Sequence, residues 1–139
     1  MTASLLSCDT SVLVPALLPG HMQHRVCRTA IRKVSVIPGH VLLESYRVLT
    51  TLPGRDRVTP FQAAAALDAL PWDVVSPRDA DPRALIRELA RDGRPGGPVY
   101  DAHIAASCHA VGTTLLTRDR RAVPHYELVG LSYRLVSDD

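Results

Sequence analysis

Five short apolar runs, SLLSC, VSVIP, WDVVS, TTLLT and LSYRLV, are spread along the chain, each separated from the next by stretches with helical spacing. The runs are too short for helices, and most are β-branched or bounded by Pro, Gly or an acid, so they read as strands. Strands that alternate with helices are joined by crossovers and lie parallel, with helices covering both faces of the sheet. The pattern therefore predicts an α/β domain with a mainly parallel sheet. In such sheets ligands collect beyond the C-terminal ends of the strands.

The intervening segments carry their own start and stop signals. DTSVLVPALL offers Thr10 or Ser11 as a helix N-cap, and QHRVCRTAIRKV places Val26, Ala30 and Val34 at helical spacing. GHVLLESYRVLTTL closes at Pro53-Gly54, TPFQAAAALDAL opens with Thr59 as cap and Pro60 at the first helical position, and DPRALIRELARDG has Asp81 as cap and Gly93 at its end. VYDAHIAASCHAVG ends at Gly112, and PHYELVG is a short helix with Pro124 at its start and Gly130 past its end.

At 139 residues, with no repeat or low-complexity linker, the chain suits one domain spanning 1–139. Apolar residues make up 46%, enough for a core, and the net charge of +2 is too small to argue nucleic-acid binding by itself. Cys8, Cys27 and Cys108 form no CxxC pair, and an odd count fits a reducing cytosol. Asp9 and Pro15 interrupt the apolar N-terminal stretch and no Lys or Arg precedes it, which argues against a signal peptide. No run is long enough to span a bilayer. A soluble cytoplasmic protein is expected.

Four acids stand in apolar settings. Asp9 follows SLLSC directly, and Asp119 follows TTLLT by two residues. Glu44 lies inside HVLLESYRVL on the face of Val41 and Val48, and Asp101 lies inside VYDAHIAASC on the face of Ile104, Ala105 and Cys108. Each has an ordinary explanation when taken singly. Asp9 could cap a helix, Asp119 could shape a turn, Glu44 could pair with Arg47 or His40, and Asp101 could favour a helix dipole. A cap does not explain an acid in mid-helix, however, and all four fall where an α/β fold gathers ligands. Crowded carboxylates must be neutralised by protons or by a cation, and a hard divalent ion such as Mg²⁺ suits oxygen donors.

The pieces CDTSVLVPALL, PGHVLLESYRVLTTLPG, TPFQAAAALDAL, GGPVYDAHIAA and TTLLTRDRRA, in this order, resemble the PIN-domain ribonucleases, and most closely the toxins of VapBC-type toxin–antitoxin pairs. The resemblance covers most of the chain. It implies a three-layer α/β/α sandwich around a parallel sheet of about five strands. It implies an endoribonuclease toxin, dependent on Mg²⁺ or Mn²⁺, that hydrolyses RNA phosphodiester bonds through a metal-activated water and leaves 5′-phosphate and 3′-hydroxyl ends. Carried over by position, the acidic quartet falls on Asp9, Glu44, Asp101 and Asp119, with Thr117 and Ser11 as supporting hydroxyls. The implied partners are a homodimer mate and a cognate antitoxin protein. One departure is His103, where relatives carry an apolar residue. Two residues beyond Asp101 is about 200° around a helix, so His103 should face away from the acid and serve packing or an interface.

The arginines Arg47, Arg118 and Arg121, with Arg120, Arg91 and Arg94, could line an acidic cleft and hold RNA phosphates on either side of the cut. Tyr46 and Tyr100 lie near the motifs as stacking candidates, although core packing is the expectation for both. Six histidines invite a zinc reading, but their spacing matches no zinc-ligand pattern. Two other functions compete. A phosphohydrolase with an Asp nucleophile of the haloacid-dehalogenase type wants an aspartate at position 11, where this chain has Ser11. A PIN-like module that binds RNA or protein without cutting would be favoured by an incomplete acid set.

Overall fold

A computed structural model describes residues 5–75, 81–97 and 99–137. Strand β1 (Leu5–Cys8) leads into α1 (Thr10–Leu17) and α2 (His24–Ala30), which tightens into a 3₁₀ turn over Ile31–Lys33. Strand β2 (Val36–Pro38) is followed by α3 (Gly39–Thr51), a 3₁₀ turn (Gly54–Asp56) and α4 (Pro60–Asp68). Then come β3 (Asp73–Val75), α5 (Pro82–Arg91), α6 (Val99–Ala110), β4 (Thr113–Thr117), α7 (Val123–Leu128) and β5 (Tyr133–Leu135). All five expected strands form. Ser4, Ser76 and Pro98, at the edges of the expected strands and turn, lie outside the described residues.

Every strand pairing is parallel. β1, β4 and β5 form one ladder and β2 and β3 another, and a bridge between Leu6 and Val34 joins them, giving the order β3-β2-β1-β4-β5. The chain thus steps outward from β1 to β3 and then crosses back to β4 and β5. Right-handed crossovers that reverse direction place their helices on opposite faces. The contacts follow: α1 packs on α2 and α3, and α3 on α4, while α6 packs on α5 and α7. The result is the expected α/β/α sandwich.

The local signals are realised as chemistry. Thr59 and Gln62 form a reciprocal capping box at α4, and Asp81 accepts from the N–H groups of Arg83 and Ala84 at α5. Gly112 and Gly130 take positive φ (70° and 73°) as helices give way to strands, a conformation that other residues adopt only with strain. At α1 the expectation needs correction. The N-cap is Asp9, not Thr10 or Ser11; its side chain accepts from the Ser11 N–H. An ionised carboxylate is a better acceptor than a hydroxyl for an orphan N–H, so it takes the cap and leaves both hydroxyls for longer-range contacts.

The main core lies between sheet and helices, where Cys8, Leu13, Ile37, Val41, Ile104, Leu115 and Tyr126 are all buried. Strand β4 is buried along its whole length, as a central strand covered on both faces must be. Smaller clusters tie α1 to α3 and α4 through Val14, Leu49 and Ala63, and α5 to α6 through Leu85, Leu89 and Ala102. No helix among the described residues is long and apolar enough to cross a membrane.

Candidate active site

The chain changes direction across β1 and β4, so a crevice opens beyond the adjacent C-terminal ends of these strands. Asp9 stands one residue past β1, with its N–H still donating to Leu116 O (3.1 Å), and Asp119 stands two past β4. Glu44 on α3 and Asp101 on α6 come in from the two helix layers. All four acids line one cleft of about 370 Å³, with Thr10, Ser11, His21, Val48, Ile104 and Arg118 among the other walls. Val48 and Ile104 are the apolar residues that helical phase places beside Glu44 and Asp101.

Asp9 is 5% exposed and is held from several sides. Its Oδ1 accepts from the Ser11 N–H (3.0 Å) and the Ser11 hydroxyl. Its Oδ2 accepts from the Thr117 hydroxyl and from Tyr126 Oη (2.7 Å). Burial pushes the Asp9 carboxyl above its ordinary range, and these donors work against that rise. Burial and the adjacent Asp9 push the Tyr126 phenol well up, so it stays a neutral donor. Tyr126 is itself fully buried and was not among the residues picked from the sequence. It sits in a six-residue helix with no periodic pattern to show where its hydroxyl goes.

Ser11 and Thr117 also couple the two loops. Ser11 Oγ accepts from the Arg118 N–H (2.7 Å), and Thr117 Oγ1 accepts from the Asp119 N–H (3.0 Å). Each hydroxyl therefore donates to Asp9 and accepts from the β4–α7 loop. Asp119 Oδ1 accepts from the Arg121 N–H (3.0 Å), so this acid shapes its turn as well as lining the cleft. Glu44 Oε2 accepts from Thr10 Oγ1 (3.1 Å) and lies 3.9 Å from His40 Nε2. The ordinary explanations for Asp9, Asp119 and Glu44 are thus real, and coexist with their common cleft.

Asp101 likewise stands in the first turn of α6, where the helix dipole favours an acid. It is half-buried, and its carboxyl is pushed up to about 6 by burial first and then by the negative charges of Asp119, Glu44 and Asp9, with His40 opposing. Among the described residues, no three His, Cys, Asp or Glu side chains converge closely enough to enclose an ion. The donors are nevertheless all carboxylate oxygens around one cleft, and the elevated Asp101 pKa is the strain that a cation relieves. By donor chemistry the set fits a hard divalent ion that keeps several waters, as Mg²⁺ does.

Of the expected cations, Arg118 lines the cleft, while Arg47 and Arg121 are exposed and do not. His21, not anticipated, does line it. His103 is partly buried away from the cleft, and its Nε2 is buried without a hydrogen-bond partner. The expectation that Tyr46 and Tyr100 pack in the core is overturned: Tyr46 is 40% and Tyr100 62% exposed. Both lie on the helices that border the cleft, at positions where helical phase alone cannot separate rim from core.

Removing the Tyr126 hydroxyl tests how far the Asp9 network depends on a residue outside the acid set. Tyr126→Phe keeps the ring in the core and takes one donor from a buried carboxylate. A hydrogen bond to a charged group contributes roughly 1.5–3 kcal/mol. Chemical denaturation is expected to show a loss of that size at neutral pH. The loss should shrink in acid, as Asp9 becomes protonated and no longer needs every donor. A variant as stable as wild type would remove Tyr126 from the network.

Parallel α/β/α architecture with carboxylates gathered at the β1–β4 crevice defines a class of folds whose acids surround the switch point of the sheet. A family model described as PIN domain matches residues 7–127. The chain is 34% identical over 134 residues to Ribonuclease VapC40 of Mycobacterium tuberculosis, covering 96% of this chain and 100% of that protein. It is 38% identical over 130 residues to Ribonuclease VapC27 of the same organism, covering 91% and 93%. The fold also matches a chain in the crystal structure of DNA-bound VapBC from Salmonella typhimurium, with a TM-score of 0.68 at 18% identity, covering 96% of this chain and 98% of that one. This chain belongs to the PIN domain family.

Proposed function

We propose that the protein is an endoribonuclease, the toxin component of a toxin–antitoxin pair, working as a single PIN-like domain over residues 1–139. The observation that carries this reading is the shared cleft of Asp9, Glu44, Asp101 and Asp119. Membership of the PIN domain family and likeness to two proteins named ribonucleases support it. Asp101, Asp9, Glu44 and Asp119 are the residues that would hold Mg²⁺ or Mn²⁺. A divalent ion bound there supplies Lewis acidity, which makes water a better nucleophile and stabilises charge on the phosphate oxygens.

The chain's own groups do the rest. Asp9 is fixed by Ser11, Thr117 and Tyr126, so its orientation is set before any substrate arrives. Asp101 is the most exposed to competing charge and the readiest to exchange a proton for a cation. Arg118, on the cleft wall, sets a positive charge where the phosphodiester must enter, and Arg47 and Arg121 serve flanking phosphates. None of these steps needs a protein nucleophile. A cytoplasmic setting, a homodimer and a cognate antitoxin that blocks the cleft complete the reading.

The test is cleavage of labelled single-stranded RNA by the full chain with Mg²⁺, with Mn²⁺ and with a chelator. Discrete products with 5′-phosphate ends are expected with either ion, falling to background with chelator. Undiminished cutting in excess chelator would rule out the metal-dependent chemistry, and RNA bound but never cut under any condition would favour a binding module.

A further inference from the structure

The ring of Tyr100 stacks on that of His40, with centroids 4.9 Å apart and planes inclined by 12°. The two residues come from opposite sides of the cleft. Tyr100 precedes Asp101 on α6, and His40 lies one turn before Glu44 on α3. The edge of the His40 ring lies 3.9 Å from the Glu44 carboxylate, so the pair abuts an acid that lines the cleft. One face of Tyr100 is covered by His40, yet the residue is still 62% exposed. Large aromatic rings are normally buried for the area they contribute, so an outward ring held flat by a neighbour calls for an explanation. Stacking fixes the ring plane in advance, and a preformed aromatic face beside a phosphate-handling cleft is the feature that single-stranded nucleic acids use for their bases.

We propose that Tyr100, braced by His40, is a platform on which one base of a bound single-stranded RNA stacks, positioning the adjoining phosphate over the acidic cleft. The inference rests on the ribonuclease reading for its substrate. It adds a substrate-positioning residue outside the acidic quartet and assigns His40 to support it. The platform is sequence-tolerant in kind, because every base has a π-face, but it favours purines, whose larger rings stack more strongly.

Binding is measured by fluorescence anisotropy with labelled single-stranded oligo(A) and oligo(U) twelve-mers, in Ca²⁺ to slow cleavage. Full-length wild type, Tyr100→Phe and Tyr100→Ala are compared. Wild type is expected to bind oligo(A) more tightly than oligo(U). Tyr100→Phe, which keeps the ring, should bind within about twofold of wild type. Tyr100→Ala should bind oligo(A) about tenfold more weakly and lose most of the preference for it, the size expected for one base stacked on an aromatic ring. A ring that merely clamps α3 to α6 would lower the melting temperature without touching base preference. That result overturns the proposal, as does a Tyr100→Ala protein that binds both oligomers like wild type. In either case wild type still cuts RNA in Mg²⁺, and the ribonuclease reading stands. Wild type that neither binds nor cuts any RNA overturns both.

Discussion

Asp101→Asn is expected to yield a protein that is more stable than wild type without metal and at the same time inactive. In the folded chain the Asp101 carboxyl titrates at about 6, against 3.8 for the free group. Between those values the native state binds more protons than the unfolded state, so stability falls as pH rises through the window. Above pH 6 the penalty is fully present; below pH 4 it is gone. A shift of this size corresponds to about 3 kcal/mol, but Asp101 is only half-buried, and solvent screening reduces the realised penalty to roughly 1–2 kcal/mol. Asparagine has the same shape and carries no charge to repel Asp119, Glu44 and Asp9. Thermal melts in chelator at pH 7.5 should therefore show the variant roughly 3–6 °C above wild type, with the two converging near pH 4. Adding Mg²⁺ should reverse the order, because wild type gains a ligand that the variant holds poorly. Cleavage should fall by more than about 100-fold, beyond the loss seen when groups merely supporting a metal site are removed. Equal melting temperatures at pH 7.5 would mean that neither burial nor the neighbouring acids raise the Asp101 carboxyl.

What the sequence revealed, and what it hid, divides along the range of the forces involved. Capping at Thr59-Pro60 and Asp81-Pro82, and the glycines after α6 and α7, are signals within one turn of chain, and the structure realises them where they were read. TTLLT is legible because a strand covered on both faces needs no alternation. Glu44 and Asp101 could be found because an acid in an apolar helix conflicts with its surroundings, and such a conflict is itself a signal. The contacts of Asp9 were only partly legible. Capping α1 and lining the cleft are compatible for Asp9, since one carboxylate oxygen faces Ser11 while the other takes Thr117 and Tyr126. The last two lie 108 and 117 residues away along the chain. No local pattern reaches that far, which is why Tyr126 was missed. The same limit applies to Arg47, Arg121 and His21, whose place relative to the cleft depends on how helices and loops meet in space rather than on their spacing. QHRVCRTAIRKV reads as one helix, but it tightens after Ala30 so that Val34 can reach Leu6 and join the two ladders.

Asp9→Ala should do the opposite of Asp101→Asn in the fold while sharing its inactivity. Asp9 is both the N-cap of α1 and the acceptor that joins the β1–α1 and β4–α7 loops. Losing the cap costs about 1 kcal/mol. The hydroxyl of Tyr126, fully buried, and that of Thr117 are then left without their acceptor, at about 1–3 kcal/mol for each that finds no other. Against this stands relief from burying a carboxylate whose pKa is already raised by its surroundings, which offsets part of the loss. A net destabilisation of roughly 3 kcal/mol is expected, read as a lower denaturation midpoint with an unchanged slope. Asp9→Asn separates the two roles. Its amide oxygen can keep the Ser11 contacts, and the Thr117 and Tyr126 hydroxyls can rotate to accept from the amide nitrogen, so its stability should stay within about 1 kcal/mol of wild type. Both variants should fail to cut RNA, the alanine protein while unfolding easily and the asparagine protein while remaining folded. An asparagine protein that folds and still cuts at the wild-type rate would take Asp9 out of the chemistry and leave it a structural residue, one whose charge at the sheet crevice serves only to hold two loops together.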